Sequence, residues 1–238
     1  MLIVTPDVRT ILECRLAAVR DRMAAACLRS RRNVSDVTLV AVTKTVTPDV
    51  AAIIADLGLF DLGESRPQEL WKKQAVLPTA RFHFIGHLQR NKLERTVPLC
   101  MLIHSVDSQR LLEALNAFGV QRGSPVPVLL EVNCSREEAK GGFAPEAVLP
   151  LADTFATWTG LRIDGLMTMA AYHDDPELCR PAFVELRSLR DSLQARTRLP
   201  LATLSMGMSH DFEIAIEEGA THIRVGSTLF ADLPAAGS

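Results

Sequence analysis

Paired cysteines and long apolar runs are both lacking in this sequence, and each absence argues against a class of protein. The five cysteines are odd in number, widely spaced and form no CxxC pair, so neither a disulfide framework nor a structural zinc site is predicted. No stretch approaches the roughly 20 apolar residues of a membrane span, and the opening MLIVTPDV is too short for a signal-peptide core. We therefore expect a cytoplasmic protein in a reducing compartment.

A strong charge of either sign is also lacking. The formal net charge is -2 over 238 residues, which gives no general attraction to nucleic acid or to anionic membranes. The first 32 residues do hold several arginines, but acids stand among them, and mixed charge of this kind is typical of a solvated helix face. Neither nucleic acid nor membrane is a predicted partner.

What the chain does have is a regular alternation of β-rich runs and helical patterns from residue 38 to the end. Such alternation predicts parallel strands joined by right-handed crossovers. The count of eight favours an α/β fold of the closed (β/α)8 TIM barrel type over an open doubly wound sheet. The glycine-rich dinucleotide fingerprint of a Rossmann fold is missing, because Lys44-Thr45 follows the first strand. The predicted strands are Thr38–Thr43, Leu59–Gly63, Phe82–Gly86, Met101–Val106, Val126–Asn133, Leu161–Thr168, Leu201–Met206 and His222–Gly226. Helices are predicted to begin near Pro48, Pro67, Gln89, Ser108, Pro145, Pro176 and Ser209.

Residues 1–238 are predicted to form a single barrel domain. An extra helix within residues 1–32 is indicated by Thr5 as its cap and Pro6 at its first position, and we expect it to pack on the barrel. Few residues remain after the eighth strand, and 234–238 is predicted to be a frayed tail.

Unusual polar residues stand where the predicted strands end, which is where TIM barrels place their chemistry. Lys44 follows the first strand, Ser205 to Ser209 read SMGMS at the end of the seventh, and Arg224 to Ser227 read RVGS at the end of the eighth. Glycine lets backbone approach a ligand, and a serine at a helix start can leave N–H groups for an anion. Together these residues describe a site for a phosphate ester that carries an aldehyde.

Each of these features also has a plain structural explanation. A lysine at the end of a buried strand can extend to solvent, and Ser209 can be an ordinary helix cap. Arg224 alternates with Val225 and is therefore expected to face the barrel interior, where an unpaired charge would be costly.

The motifs of this chain resemble those of the pyridoxal phosphate homeostasis protein family, whose barrel is similar to the N-terminal domain of alanine racemases. The matching stretches occur in order over nearly the whole chain after Thr38. They are LVAVTKT (39–45), DLGESRPQE (61–69), FHFIGHLQRNK (82–92), IHSVDS (103–108), EVNCSREEAKGGF (131–143), GLMTM (165–169), LSMGMSHDFEIAI (204–216) and IRVGSTLF (223–230).

The resemblance implies a role for each site residue. Lys44 would hold pyridoxal 5'-phosphate (PLP) as a Schiff base, and Arg224 would approach the pyridine nitrogen. Met167 would pack near the ring as an apolar wall, and Ser65, at the end of the second strand, would lie beside Lys44 and the ring. The phosphate would be held by Ser205, Gly207, Ser209, Gly226 and Ser227.

The function implied by the resemblance is non-catalytic: a cytosolic, monomeric protein of vitamin B6 homeostasis that buffers PLP or delivers it to apo-enzymes through transient contacts. The rival hypothesis is a PLP-dependent amino-acid racemase. In the full-length racemases a second base, a tyrosine, comes from a further domain and a partner subunit, whereas the only tyrosine here is Tyr172, in a predicted loop. A guanidinium at the ring nitrogen would also weaken the electron sink that carbanion chemistry needs. A third possibility is a barrel enzyme that binds a phosphate ester without PLP.

Three stretches of the chain depart from the family pattern, and three other polar residues have ordinary explanations. Ser65 stands where asparagine is expected, Arg90 replaces a small polar residue, and Ala170-Ala171 replace prolines. Lys140 is expected to be a solvated loop lysine, with a second role in handling free cofactor left open. No metal site is predicted, because His83 and His87 lack a third ligand.

Overall fold

Eight parallel strands close into a barrel in the computed structural model, which describes residues 7–233 and 235. Strands β1 and β8 are hydrogen-bonded neighbours, which completes the circle. The predicted (β/α)8 fold is confirmed, and each predicted strand is present with ends shifted by no more than two residues. The strands are β1 Thr38–Val42, β2 Asp61–Glu64, β3 Arg81–Phe84, β4 Cys100–Val106, β5 Val126–Glu131, β6 Leu161–Met167, β7 Thr203–Ser205 and β8 His222–Val225.

Helices surround the barrel and connect its strands. None of the described helices is long and apolar enough to cross a membrane. The α-helices are α1 Val8–Arg29, α2 Pro48–Asp56, α3 Pro67–Val76, α4 Leu93–Thr96, α5 Gln109–Gln121, α6 Pro145–Leu151, α7 Arg180–Thr197, α8 Phe212–Glu217 and α9 Ser227–Phe230.

The strands are buried on both faces, as parallel strands covered by helices must be. Alternate residues such as Leu39 and Ala41 point outward and join the main core between barrel and helices. A second, small apolar cluster consists of Leu102, Leu129 and Met167. The rest of the barrel interior contains polar side chains, and these form the site.

The N-terminal helix α1 packs against α8 and α9 with a stripe of buried apolar residues. Its cap is Asp7, whose carboxylate accepts a hydrogen bond from the Thr10 N–H at 2.7 Å. The prediction of Thr5 as the cap was therefore wrong, and Thr5 and Pro6 lie outside the described residues. Of the predicted tail 234–238 the structure describes only Ala235, which bridges to Val46.

Some predicted helix starts were displaced. Near Gln89 the chain forms a 3-10 turn, Arg90–Lys92, before the short α4, and near Pro176 a 3-10 turn precedes α7. Helix α8 begins at Phe212 with Asp211 as its N-cap residue, not at Ser209. The Ser209 hydroxyl is engaged elsewhere, with backbone that follows β8.

Candidate functional site

Lys44 lies beside the turn that follows β8, because β1 and β8 are adjacent strands. A Cβ built on Gly226 would be 3.3 Å from Cβ of Val42, so the end of β1 packs directly on this turn. Lys44 comes two residues after Val42, and its side chain is exposed. Lys44 and the glycine-serine turn thus follow neighbouring strands at the same end of the barrel.

Backbone N–H groups of the turn converge on one oxygen atom. Ser209 Oγ accepts hydrogen bonds from the Gly226 N–H at 3.1 Å and from the Thr228 N–H at 3.3 Å. Ser227, between these two donors, is exposed. We call Ser209 and residues 226–228 the donor turn. Two N–H groups that converge on one oxygen show that this turn can hold an oxygen acceptor, which is what a phosphate group offers.

Gly207 is required by packing in this structure. Its φ is +92°, a conformation that favours glycine. A Cβ there would lie 2.6 Å from Cβ of Ala215 and 2.9 Å from Cα of Phe212, so any side chain would displace α8. Close approach of helix and strand thus accounts for this glycine, where the sequence suggested approach to a ligand.

Arg224 is buried in the barrel interior, as its alternation with Val225 predicted. Its Nη1 donates to Ser205 Oγ at 2.6 Å, and its Nη2 donates to the Thr168 carbonyl at 2.9 Å. Burial lowers the pKa of Arg224 to about 10, although the charges of Asp211 and Glu131 oppose the change. The guanidinium therefore remains charged at neutral pH.

Ser205 is not part of the donor turn. Its side chain is fully buried, and its hydroxyl is bonded to Arg224 and to Nδ1 of His104, the latter at 2.8 Å. The sequence grouped Ser205 with Ser209 as a phosphate ligand, and the structure separates the two. Ser205 contacts Arg224 directly, so it acts on the site through that guanidinium.

Met167 and Ser65 lie where the sequence placed them along the strands. Met167, at the end of β6, is 1% exposed in the small apolar cluster with Leu102 and Leu129. Ser65 directly follows β2 and is partly buried. A Cβ on Gly86 would lie 2.2 Å from the Ser65 carbonyl oxygen, so the backbone of Ser65 is held closely against the end of β3.

Glu131 is a site residue that sequence reasoning missed. It ends β5 and is 7% exposed. Burial raises its pKa to about 7, the charge of Asp107 adds to the increase, and Arg224 and His87 oppose it. An acid that ends the apolar run Val128–Leu130 was the available signal, the same signal that singled out Lys44.

Replacing Glu131 with glutamine is expected to stabilise the protein at alkaline pH. Because the folded-state pKa lies above the ordinary value of 4.5, the stabilising contribution of the protonated carboxyl is lost as pH rises towards about 7. Glutamine resembles the protonated acid and cannot ionise. Urea unfolding should show a gain near zero below pH 4.5 that grows to about 3 kcal/mol above pH 8. A gain that does not vary with pH would contradict the assignment.

A buried polar network in the barrel interior was also missed. His83 and His104 are almost fully buried and bonded to each other, and His83 continues to Asp61. His87 is exposed and bonded to Asp107 instead. His83 and His87, which are predicted not to form a metal site, therefore lie in different environments, one buried and one exposed. Within residues 7–233 and 235, no group of three or more His, Cys, Asp or Glu side chains could hold a metal ion.

Of the two loop residues weighed in the sequence, Tyr172 is exposed, whereas Lys140, expected to be solvated, is partly buried with its side chain 26% exposed. Lys140 Nζ donates to the Ala170 carbonyl at 3.0 Å and pairs with Glu137. Tyr172 is 75% exposed, with its ring 5.1 Å from that of His210.

This chain is similar to known proteins over most of its length. The family described as alanine racemase, N-terminal domain, matches residues 16–234. The pyridoxal phosphate homeostasis protein of Aquifex aeolicus is 41% identical over 220 residues, which cover 92% of this chain and 96% of that protein. The human protein of the same name is 34% identical over 235 residues, covering 92% of this chain and 86% of its own length.

A solved structure extends the likeness to three dimensions. PipY of Synechococcus elongatus, solved with PLP bound, is 33% identical to this chain with a TM-score of 0.77, and the match covers 90% of this chain and 100% of that one. Sequence and structure thus point to one family. The chain belongs to the pyridoxal phosphate homeostasis proteins, within the wider family that has the alanine racemase N-terminal domain.

Proposed function

We propose that this protein binds PLP through a Schiff base on Lys44 and serves vitamin B6 homeostasis by buffering the cofactor or delivering it to apo-enzymes. The observation that supports this most is the placement of Lys44, an exposed primary amine, after the strand next to the donor turn. The buried Arg224 lies on β8, the strand that leads into this turn. The proposed compartment is the cytosol.

The donor set fits the chemistry of the cofactor. When bound, PLP supplies an aldehyde that condenses with an amine and a phosphate that accepts several hydrogen bonds. Lys44 is the amine. Ser209, Gly226, Ser227 and the backbone of Gly207 are the proposed phosphate ligands, while Ser65 and Met167 are proposed to border the ring. Ser205 acts through Arg224.

The proposal of a non-catalytic role follows from two features. Arg224 keeps its charge at neutral pH, and a guanidinium near the pyridine nitrogen disfavours a proton there, which weakens the ring as an electron sink. Tyr172, the only tyrosine in the sequence, is largely exposed in a loop. It is therefore a poor candidate for the second base that racemisation requires.

The PLP-loaded protein is accordingly expected not to racemise alanine. Exchange of the α-hydrogen of L-alanine with deuterium, followed by NMR, measures this directly. We expect no exchange above that of free PLP under the same conditions. Steady exchange on the order of 1 s⁻¹ would instead support the enzyme hypothesis.

We further propose that the protein is a monomer. The described large apolar side chains that are exposed, such as Leu28, Val76 and Tyr172, lie on different elements of the fold, and single exposed apolar residues are normal on monomeric proteins. Light scattering should give a mass near 26.1 kDa. A mass of twice that value at micromolar concentration would contradict the proposal.

Delivery can be tested by mixing the PLP-loaded protein with an apo-aminotransferase while a phosphatase destroys free PLP. If the protein protects and transfers its cofactor, the aminotransferase should recover activity that an equal amount of free PLP does not restore. The matched control is the Lys44→Ala variant preincubated with PLP, which should restore no more activity than free PLP does. Equal recovery in all three samples would contradict the carrier function.

A further inference from the structure

A continuous series of hydrogen bonds leads from Arg224 to the start of the barrel strands. Arg224 Nη1 lies 2.6 Å from Ser205 Oγ, and Ser205 Oγ lies 2.8 Å from His104 Nδ1. His104 Nε2 lies 2.9 Å from His83 Nδ1, and His83 Nε2 lies 3.1 Å from Asp61 Oδ1. The Asp61 carboxylate also receives two hydrogen bonds from Arg81, at the first residue of β3.

When each histidine ring carries one proton, the chemistry of the two ends fixes the direction of every hydrogen bond between them. A guanidinium only donates, so Ser205 Oγ accepts from Arg224, and its own proton is available to His104 Nδ1. His104 then has its proton on Nε2 and donates to His83 Nδ1, and His83 in turn has its proton on Nε2. That proton points at Asp61, whose ionised carboxylate only accepts.

Both ends favour the charge states that this direction requires. Although burial alone would raise it, hydrogen bonds from Arg81 and His83 hold the pKa of Asp61 well below its usual range. Burial, together with the nearby His83, His222 and Arg224, lowers the pKa of His104 far below its usual value. A neutral His104 with its lone pair on Nδ1 also gives the Ser205 hydroxyl proton an acceptor at 2.8 Å.

We propose that Ser205, His104, His83 and Asp61 are positioning residues that form a one-directional hydrogen-bond chain, which fixes the guanidinium of Arg224 and ties it to Arg81 at the opposite end of the barrel. Since an arginine does not release its proton at ordinary pH, the chain transmits orientation and not protons. The hydrogen-bond chain is inferred from contacts within the protein, and only its consequence for PLP binding rests on the proposed function.

His222 provides an internal control. Its ring centre lies 5.8 Å from that of His83 and 6.0 Å from that of His104, so it shares their surroundings. Its Nδ1 is bonded to the Thr221 hydroxyl at 3.1 Å and to neither histidine. Replacing His222 therefore perturbs the same interior without breaking the chain.

The direction of the chain can be read from the ring nitrogens of the wild-type protein. Multiple-bond 15N–1H correlation at neutral pH distinguishes a proton on Nδ1 from one on Nε2. We expect both His83 and His104 to be neutral with the proton on Nε2. A proton on Nδ1 of either ring, or two protons on either ring, would overturn the proposal, whether or not PLP binds.

The effect on Arg224 is tested with two variants at one position. Asparagine at 104 can still accept the Ser205 proton near the position of Nδ1, whereas leucine cannot. His104→Leu should move the guanidinium 15N–1H signal of Arg224 and weaken PLP binding about three- to tenfold. His222→Gln should retain both the signal and the affinity. His104→Asn keeps the contact with Ser205 but cannot reach His83, so its effect should fall between those of His104→Leu and His222→Gln.

Equal losses in His104→Leu and His222→Gln would mean that the histidines only fill space, and would overturn the positioning role. If none of the proteins bound PLP, the proposed function would fail. The guanidinium signal would in that case still decide whether the chain holds Arg224.

Discussion

Lys44→Ala is expected to abolish the visible absorption band of the PLP-loaded protein and the adduct that borohydride fixes. Lys44 is exposed and follows the strand next to the donor turn, and removing it leaves the proposed phosphate contacts of Ser209, Gly226 and Ser227 without a covalent anchor. We expect PLP to be retained only weakly and to be lost on gel filtration, because the remaining contacts are reversible hydrogen bonds.

Lys140→Ala is the matched control for this experiment. Lys140 is a partly exposed lysine whose Nζ is bonded to the Ala170 carbonyl and to Glu137. Its removal should leave the absorption band and the fixed adduct intact. If Lys44→Ala kept a reducible adduct and Lys140→Ala lost it, the assignment of Lys44 would be wrong.

Lys73→Met is expected to have the largest effect on stability. Lys73 is fully buried, and its Nζ donates to Glu64 Oε1 at 2.5 Å and to the Thr43 carbonyl at 2.6 Å. Without Lys73 the buried Glu64 carboxylate would lose its counter-charge, a loss that typically costs about 3–5 kcal/mol. Urea unfolding at neutral pH should show a loss of this size. The absorption band of the PLP adduct on Lys44 should also weaken, because Lys73 holds the carbonyl of Thr43, which directly precedes Lys44.

The neighbouring lysine offers a control. Lys72 is paired with Glu69, but its side chain is 65% exposed, so Lys72→Met should change the free energy of unfolding by no more than about 0.5 kcal/mol. The double variant Glu64→Leu/Lys73→Met should recover much of the loss, since it removes both buried charges. A double variant as unstable as Lys73→Met alone would show that the charge is not the cause.

The sequence was sufficient for the barrel and for the ends of its strands. Short apolar runs and their helical connections determine the order of a parallel barrel, and that order brings Lys44 next to Gly226 before any contact is known. Helix starts were less certain, because caps depend on individual hydrogen bonds. Asp7 caps α1, and the Ser209 hydroxyl turns to the backbone after β8.

The interior network could not be predicted, because its members come from strands far apart in the chain. Nothing local in the sequence shows that His83 and His104 meet, or that Ser205 reaches Arg224. The alternation of inward and outward residues along a strand does indicate that Ser205 and Arg224 could both face inward. The same rule applied to Ser205 would have removed it from the predicted phosphate ligands, which include Ser209. The pKa of Glu131 is a product of burial at the barrel mouth, which a sequence pattern does not report.

The most direct test of the central proposal is peptide mapping of the wild-type protein after loading with PLP and reduction with borohydride. Mass spectrometry of the digest should find a single modified site, on the peptide that contains Lys44. A modification mainly on Lys140 or Lys92, or no reducible adduct in a protein that nevertheless binds PLP, would contradict the account.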